Sequence, residues 1–194
     1  MDRKNEIKTT VEKEILQIYG QLQYSSGKAR LAKLRNSIGK TDLVETYPFL
    51  FEILPENLQG RGKYLSDEEK AVICSLQFYA LLQQGKTECV HVRGRKNENL
   101  ATSLSQIRRN EESAALDRRF NSMILADTEE EFLTHLRYML QLFKGKAQSC
   151  SVDFGQLAED IYRFIHWENG KEEIRLSWSR EYYKIYAKGE ENDD

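Results

Sequence analysis

Apolar side chains recur every three or four positions along most of the chain, and this spacing predicts helices. The first run extends from about residue 5 to residue 23, with Lys and Glu at many of the positions between. Because an α-helix repeats about every 3.6 residues, these apolar side chains fall on one face. Ser25, Ser26 and Gly27 interrupt the run, and either serine is suited to cap a second helix, which we expect to end by Gly39.

Two later helices are predicted from capping boxes, in which a Ser or Thr and a Glu three residues later satisfy the first backbone amides. Ser66 and Glu69 form one box, ahead of a broadly apolar segment that ends near Gly85. Thr128 and Glu131 form the other, ahead of the clearest amphipathic helix in the chain. Both pairs therefore predict where a helix begins.

Several further segments have helical periodicity, and the last is ambiguous. Ile174, Leu176 and Trp178 alternate as in a strand, but no second strand is apparent to pair with them, so we predict a helix there too. The chain is therefore predicted to be all-α. The other helical segments are 48–54, 100–107, 116–124 and 152–167, the last followed by a predicted stop at Asn169 and Gly170.

A basic segment without apolar periodicity divides the predicted helices into two groups. This segment, KTECVHVRGRKNE at 86–98, has the composition of a mobile linker. We therefore predict two small helical bundles, packed side by side and joined by a basic linker. The predicted parts are an N-terminal helical subdomain at 1–85, the linker at 86–98, a C-terminal helical bundle at 99–188 and an acidic tail at 189–194.

Composition excludes several classes of protein. No apolar run approaches the roughly 18 residues that span a membrane, and the first residues lack a secretory signal, so we expect a cytoplasmic protein with no membrane partner. The three Cys and three His residues are scattered, without the spacing of a metal site. No cofactor, metal site or catalytic residue is predicted, and a hydrolase using Cys74 or His135 is the least favoured class.

Charge is uneven along the chain, although the net charge is only −2. Residues 1–126 carry 20 Lys and Arg against 16 Asp and Glu, whereas residues 127–194 carry 9 against 15. This imbalance is too modest to identify a nucleic-acid-binding protein by itself. Any anion-binding surface must therefore come from local clusters.

The stretch SSGKARLAKLR, residues 25–35, has four cations, and no carboxylate occurs from residue 28 to residue 40. None of these four cations therefore has a carboxylate four residues away on the same helix with which to form an ion pair. On a helical wheel the leucines face the core, Arg30 and Arg35 flank them on opposite sides, Lys28 lies beside Arg35, and Lys33 points outward. We predict that these cations contact an anion; the alternative is that Arg30 and Arg35 lay their stems along the core edge.

Two arginine pairs and a single arginine extend the candidate set. Arg108 and Arg109 precede Arg118 and Arg119 near the ends of consecutive helices, and Arg137 borders the apolar face of the helix that Thr128 caps. For the pairs, ion pairing with the acidic residues of 111–117 is an equally strong alternative.

The nature of the anion follows by exclusion. SSGK lacks both the spacing of a phosphate-binding loop and a preceding strand, which excludes a nucleotide site of that kind. The 25–35 helix has no aromatic anchor or large apolar face, which argues against a membrane surface. An extended polyanion, a nucleic-acid backbone, is favoured. The alternative is a helical protein–protein adaptor whose basic patch pairs with an acidic protein.

The chain resembles the CasB family, the small subunit of the type I-E Cascade CRISPR surveillance complex. Four stretches in the family's order carry the resemblance: GKARLAKLRNSIGK, LDRRFNSMILADTEEEFLTHLRYMLQLFK, VDFGQLAEDIYRFIHW and IRLSWSREYY. They lie in both predicted bundles and are spread from residue 27 to residue 183, which is most of the chain.

The resemblance implies a non-enzymatic subunit of antiviral defence, present in two copies beside the backbone and large Cascade subunits. It implies binding to the guide RNA, the target DNA strand and the displaced DNA strand of an R-loop. The basic positions that match the family are Lys28, Arg30, Lys33, Arg35, Arg118 and Arg119, with Arg108, Arg109 and Arg137 as further candidates. The acidic C-terminal half departs from this pattern, and we expect it to face protein neighbours.

Overall fold

Helices form where the apolar spacing and the caps predict them, which confirms an all-α protein. The computed structural model describes residues 2–40, 43–94, 99–109, 114–147 and 151–184. Short 3-10 turns at Val44–Thr46 and Glu56–Leu58 flank the third helix. In the described residues the helices are α1 (Arg3–Gly20), α2 (Ser25–Asn36), α3 (Tyr47–Ile53), α4 (Asp67–Gln83), α5 (Leu100–Arg109), α6 (Ala114–Ile124), α7 (Glu129–Lys146), α8 (Phe154–His166) and α9 (Glu168–Tyr182).

Both predicted capping boxes are present. At the start of α4 the backbone N–H of Glu69 donates to Ser66 Oγ, and the Ser66 N–H donates to Glu69 Oε2 at 2.7 Å. At the start of α7 the same exchange joins Thr128 and Glu131. Each box satisfies amides that the helix itself leaves without an acceptor.

Two predicted helix boundaries are wrong. Neither Ser25 nor Ser26 caps α2, because both lie inside the helix; Tyr24 occupies the cap position and makes no side-chain cap bond. Asn169 and Gly170 do not end a helix, because they lie in the first turn of α9. The break between α8 and α9 falls instead at Trp167, whose backbone is extended.

The core of the described residues is built around α8, which packs against α1 and α4 as well as against α9. In addition, α2 packs on α4, and α7 lies against α4 and α6. Buried apolar side chains from before and after the linker belong to one cluster. The two predicted bundles thus share an interface, and the domain boundary at 86–98 stays a prediction.

The described part of the linker, residues 86–94, is anchored to the helices rather than free. The Val90 N–H donates to Gln83 Oε1 at 3.0 Å, and His91 forms an isolated β-bridge with Val152. The Gly94 N–H donates to Asp153 Oδ2 at 2.8 Å. Residues 95–98 and the acidic tail at 189–194 lie outside the described residues.

Candidate nucleic-acid interface

Lys28, Arg30 and Arg35 lie on the two flanks of α2, as the helical wheel predicts. Lys33, which is predicted to point outward, is exposed and lines the groove on the flank of Arg30. Lys28 and Arg35 border a groove of about 250 Å³ at the C-terminal end of α4, together with Lys86. Arg30 and Lys33 border a second groove on the opposite flank, which faces α3. The two flanks differ in charge, because Glu52 lines the second groove whereas no carboxylate of the described residues lines the first.

Arg30 is held in ion pairs within the chain. Its Nη1 donates to Glu14 Oε1 at 3.2 Å, and its Nη2 donates to Glu52 Oε1 at 3.3 Å. Burial raises the pKa of Glu14, and the Arg30 guanidinium partly offsets this effect. The charge of Arg30 therefore neutralises the buried carboxylate of Glu14. This agrees with the alternative that Arg30 lies along the edge of the core.

Arg108 is also paired within the chain. Its Nε donates to Asp117 Oδ1 at 2.9 Å and its Nη2 donates to Asp117 Oδ2 at 3.3 Å. The guanidinium lies 4.9 Å from the ring centroid of Tyr183, and the Tyr182 hydroxyl donates to the same carboxylate. The salt-bridge alternative therefore holds for Arg108, while the side chain of Arg109 lies outside the described part of the structure.

Six of the candidate cations make no ion pair with any residue that the structure describes: Arg137, which is described below, and five on α2 and α6. Of these five, four have exposed side chains, and that of Arg35 is half-buried. Unpaired cations at a surface keep their full charge available to an incoming anion. These five are Lys28, Lys33 and Arg35 on α2 and Arg118 and Arg119 on α6.

Arg137 connects α7 with the end of α2. Its side chain lies so close to Gly39 that a Cβ there would come within 2.7 Å of Arg137 Nη1. Gly39 has a φ of +72°, a conformation that favours glycine, and the absence of a side chain leaves room for the guanidinium. Arg137 Nε is buried and donates to no described residue.

Besides α2 and α6, the C-terminal half of α7 carries basic side chains. Along α7 no acidic residue occurs from residue 132 to residue 146. Lys144 Nζ donates to the Leu81 carbonyl at 2.8 Å and to Gln84 Oε1 at 3.1 Å, which places it beside the groove of α2. Across α7, a groove of about 530 Å³ is lined by Arg119 and by no described carboxylate. We define the basic surface as Lys28, Arg35, Lys86, Arg118, Arg119, Arg137 and Lys144.

The sequence prediction did not include Lys86, Lys144 or the groove of Arg119. One signal was present for Lys144, namely the long interval without Asp or Glu that follows Glu131. The position of Lys86 depends on how α4 packs against α2, which no local pattern predicts.

The described residues show neither a cluster of metal ligands nor an activated cysteine nucleophile. Among them no three His, Cys, Asp or Glu side chains are grouped as metal ligands. Burial raises the pKa of Cys74 to about 12, which disfavours the thiolate that a nucleophile requires. Within the same residues, no helix has the length and apolarity needed to cross a membrane.

The described part of the chain is an all-helical fold with two grooves that are lined by cations and by no described carboxylate. A family model, that of the CRISPR-associated protein Cse2, matches residues 30–183. The chain therefore belongs to the Cse2 (CasB) family, and this membership implies a subunit of Cascade in CRISPR defence.

Two solved structures are similar to this chain over nearly their full length. CasB from Thermobifida fusca matches with a TM-score of 0.74 and 23% identity, covering 91% of this chain and 97% of that one. CasB from Thermus thermophilus matches with a TM-score of 0.63 and 23% identity, covering 89% and 97%. At this identity the similarity establishes the fold. No curated protein sequence matches.

Proposed function

We propose that this chain is a non-catalytic Cascade subunit that holds nucleic-acid backbones by charge. Its ligands are the displaced DNA strand and the duplex of guide RNA with target DNA. The observation that supports this most strongly is the basic surface, whose two grooves contain cations from α2, α6 and the end of α4 and no carboxylate of the described residues. Its partners are the backbone and large Cascade subunits and a second copy of the chain.

Backbone binding requires cations at several points along a line and no chemistry directed at individual bases. Lys28 and Arg35 are seven residues apart on α2, which is about 10 Å along a helix axis. Arg119 extends the surface to a separate helix, so that successive phosphates can meet successive cations. Sequence reading is left to base pairing with the guide, a division of labour found in other RNA-guided systems.

The contacts that we propose keep most of the residues predicted from the sequence and add Lys86 and Lys144. Arg30 and Arg108 are left out because their charges are neutralised in place. Lys33 is retained as a peripheral contact, since it lines the same groove as Glu52 of α3. Arg109 is retained only on the basis of the family resemblance.

The proposal predicts that reversing two charges weakens binding and flattens its salt dependence. In the variant Arg35→Glu with Arg119→Glu, we expect single-stranded DNA binding to weaken by about tenfold or more at low salt. The slope of log affinity against log salt should decrease by about 0.7 for each phosphate that the variant no longer neutralises. Fluorescence anisotropy between about 50 and 200 mM salt measures both quantities.

The matched control is Lys13→Glu with Arg61→Glu, which makes the same change in net charge at two exposed sites. Neither of these residues lines a groove of the basic surface. This control should bind as the wild type does. An unchanged slope in the Arg35→Glu, Arg119→Glu variant would contradict the basic surface. Failure of the wild-type chain to bind DNA even at low salt would favour the protein–protein adaptor instead.

A further inference from the structure

We propose that the groove between α6 and α7 is a stacking site for one unpaired nucleobase, with Tyr138 as the stacking platform. This inference rests on the proposed function and adds to it, because it gives the basic surface a means of preferring single strands to duplexes. The juxtaposition that carries it is an exposed aromatic ring beside an arginine that no described carboxylate neutralises, both in one concave groove.

The groove is large enough to hold one nucleobase. Its volume of about 530 Å³ lies within the range of about 300–1,000 Å³ that small-molecule sites occupy. Leu142 packs against the core and supplies apolar surface, while Ser122, His135 and Gln141 supply polar groups. Arg119 lies at the same groove and makes no ion pair with a described residue.

Tyr138 is unusual among the aromatic residues that line a groove. Its side chain is 55% exposed, although large aromatic side chains are normally buried for most of their area. Among the described residues its ring stacks on no other ring, and its hydroxyl makes no hydrogen bond. The ring is therefore accessible to a ligand, and the apolar area that it exposes is an energetic cost that a stacked base would remove.

The chemistry of this pair matches a nucleotide in a single strand. A base presents a flat aromatic face that stacks on tyrosine whatever its identity, and its phosphate pairs with a guanidinium. In a duplex both faces of each base are already stacked on neighbours, so only the phosphates can reach the groove. Tyr138 should therefore contribute to single-strand binding alone, whereas Arg119 contributes to both forms.

The test compares Tyr138→Ala with Tyr138→Phe and with Tyr64→Ala. Tyr64 is a control because it is 88% exposed on the loop before α4 and lines neither groove of the basic surface. We expect Tyr138→Ala to weaken binding of single-stranded DNA by about 5- to 150-fold, the range for loss of one base stack. Binding of duplex DNA should change less than about twofold, and Tyr138→Phe should bind as the wild type does.

An abasic oligonucleotide, a sugar-phosphate strand without bases, gives a second and independent readout. The wild type should bind it as weakly as Tyr138→Ala binds normal single-stranded DNA, and Tyr138→Ala should bind it no more weakly than the wild type does. Circular dichroism of each variant checks that the helices are intact.

The outcomes separate this inference from the proposed function. If the wild type binds neither strand form, the proposed function fails and the inference fails with it. If the wild type binds DNA but Tyr138→Ala behaves like Tyr64→Ala, the base-stacking site is wrong and the basic surface stands. Equal weakening of single-strand and duplex binding would also overturn the inference, because Tyr138 would then act through the backbone.

Discussion

Asp160 is a carboxyl group buried between α8 and α9, and its environment makes stability depend on pH. Oδ2 accepts a hydrogen bond from Trp178 Nε1 at 2.8 Å, and Oδ1 accepts one from Gln156 Nε2 at 3.0 Å. Burial outweighs both hydrogen bonds and raises the pKa of Asp160 to about 6, from an ordinary value of 3.8. The folded protein therefore holds this proton more tightly than the unfolded chain does.

Since the folded pKa is the higher one, the stability that Asp160 contributes is complete below about pH 4 and is lost as pH rises through about 6. In Asp160→Asn this loss is absent. We expect the free energy of unfolding of the wild type, relative to that of Asp160→Asn, to fall by on the order of 1–3 kcal/mol between these limits. Urea unfolding at a series of pH values measures the difference.

Glu45→Gln is the control, because Glu45 is an exposed carboxylate and its replacement should leave the pH dependence of the wild type unchanged. Parallel curves for the wild type and Asp160→Asn would show that the Asp160 carboxyl titrates alike in the folded and unfolded states.

At the level of single residues, only part of the candidate site could be predicted from the sequence. The wheel of α2 places Lys28 with Arg35 because their angular positions depend on the helix alone. It cannot reveal that Arg30 meets Glu14 and Glu52, since those acids lie on other helices and are brought together by packing. A cation's sequence neighbours thus predict its direction, but the whole fold determines whether its charge is free.

The helix ends show which elements are specified by local sequence. The Thr128 side chain accepts from the Glu131 N–H at 3.2 Å, and all the residues involved lie within one turn. Thr128→Ala removes this acceptor, and we expect it to lower the free energy of unfolding by about 1 kcal/mol. Thermal and urea unfolding of the variant measure the loss.

Thr134→Ala is the matched control on α7, because Thr134 is exposed in the helix interior and has no capping role. It should be neutral or slightly stabilising, since alanine has the higher helix propensity. Equal effects of the two substitutions would contradict the importance of the cap for α7.

The boundary between α8 and α9 could not be predicted from local sequence. Gly170, which lies near it, allows two helices to pack closely and does not end a helix. A Cβ at Gly170 would collide with the backbone oxygen of Arg163, so α9 approaches α8 closely at this residue. A sequence pattern cannot distinguish such a glycine from one that ends a helix, which is the role that the sequence predicts for Asn169 and Gly170. The distinction depends on contacts between helices.

At the scale of the whole molecule, α8 packs against helices from both before and after the linker, namely α1, α4 and α9. Gly155, at the start of α8, lies against α1, where a Cβ would come within 2.8 Å of Glu12 Cγ and 2.9 Å of Lys8 Cγ. Glu12 also pairs with Arg93 of the linker. This contact therefore joins α1, α8 and the linker, three parts of the chain that are remote from one another in sequence.

Gly155→Ala should force α1 and α8 apart and lower the free energy of unfolding by about 1–3 kcal/mol, as overpacking does. Gly145→Ala on α7 is the control, because a Cβ there meets no atom within 4 Å. In that variant the higher helix propensity of alanine should stabilise the protein by up to about 1 kcal/mol. Urea unfolding of both variants gives the comparison, and equal stabilities would contradict the close approach of α1 to α8. Binding of single-stranded DNA by Gly155→Ala should stay at the wild-type level, because neither groove of the basic surface is lined by α1 or α8.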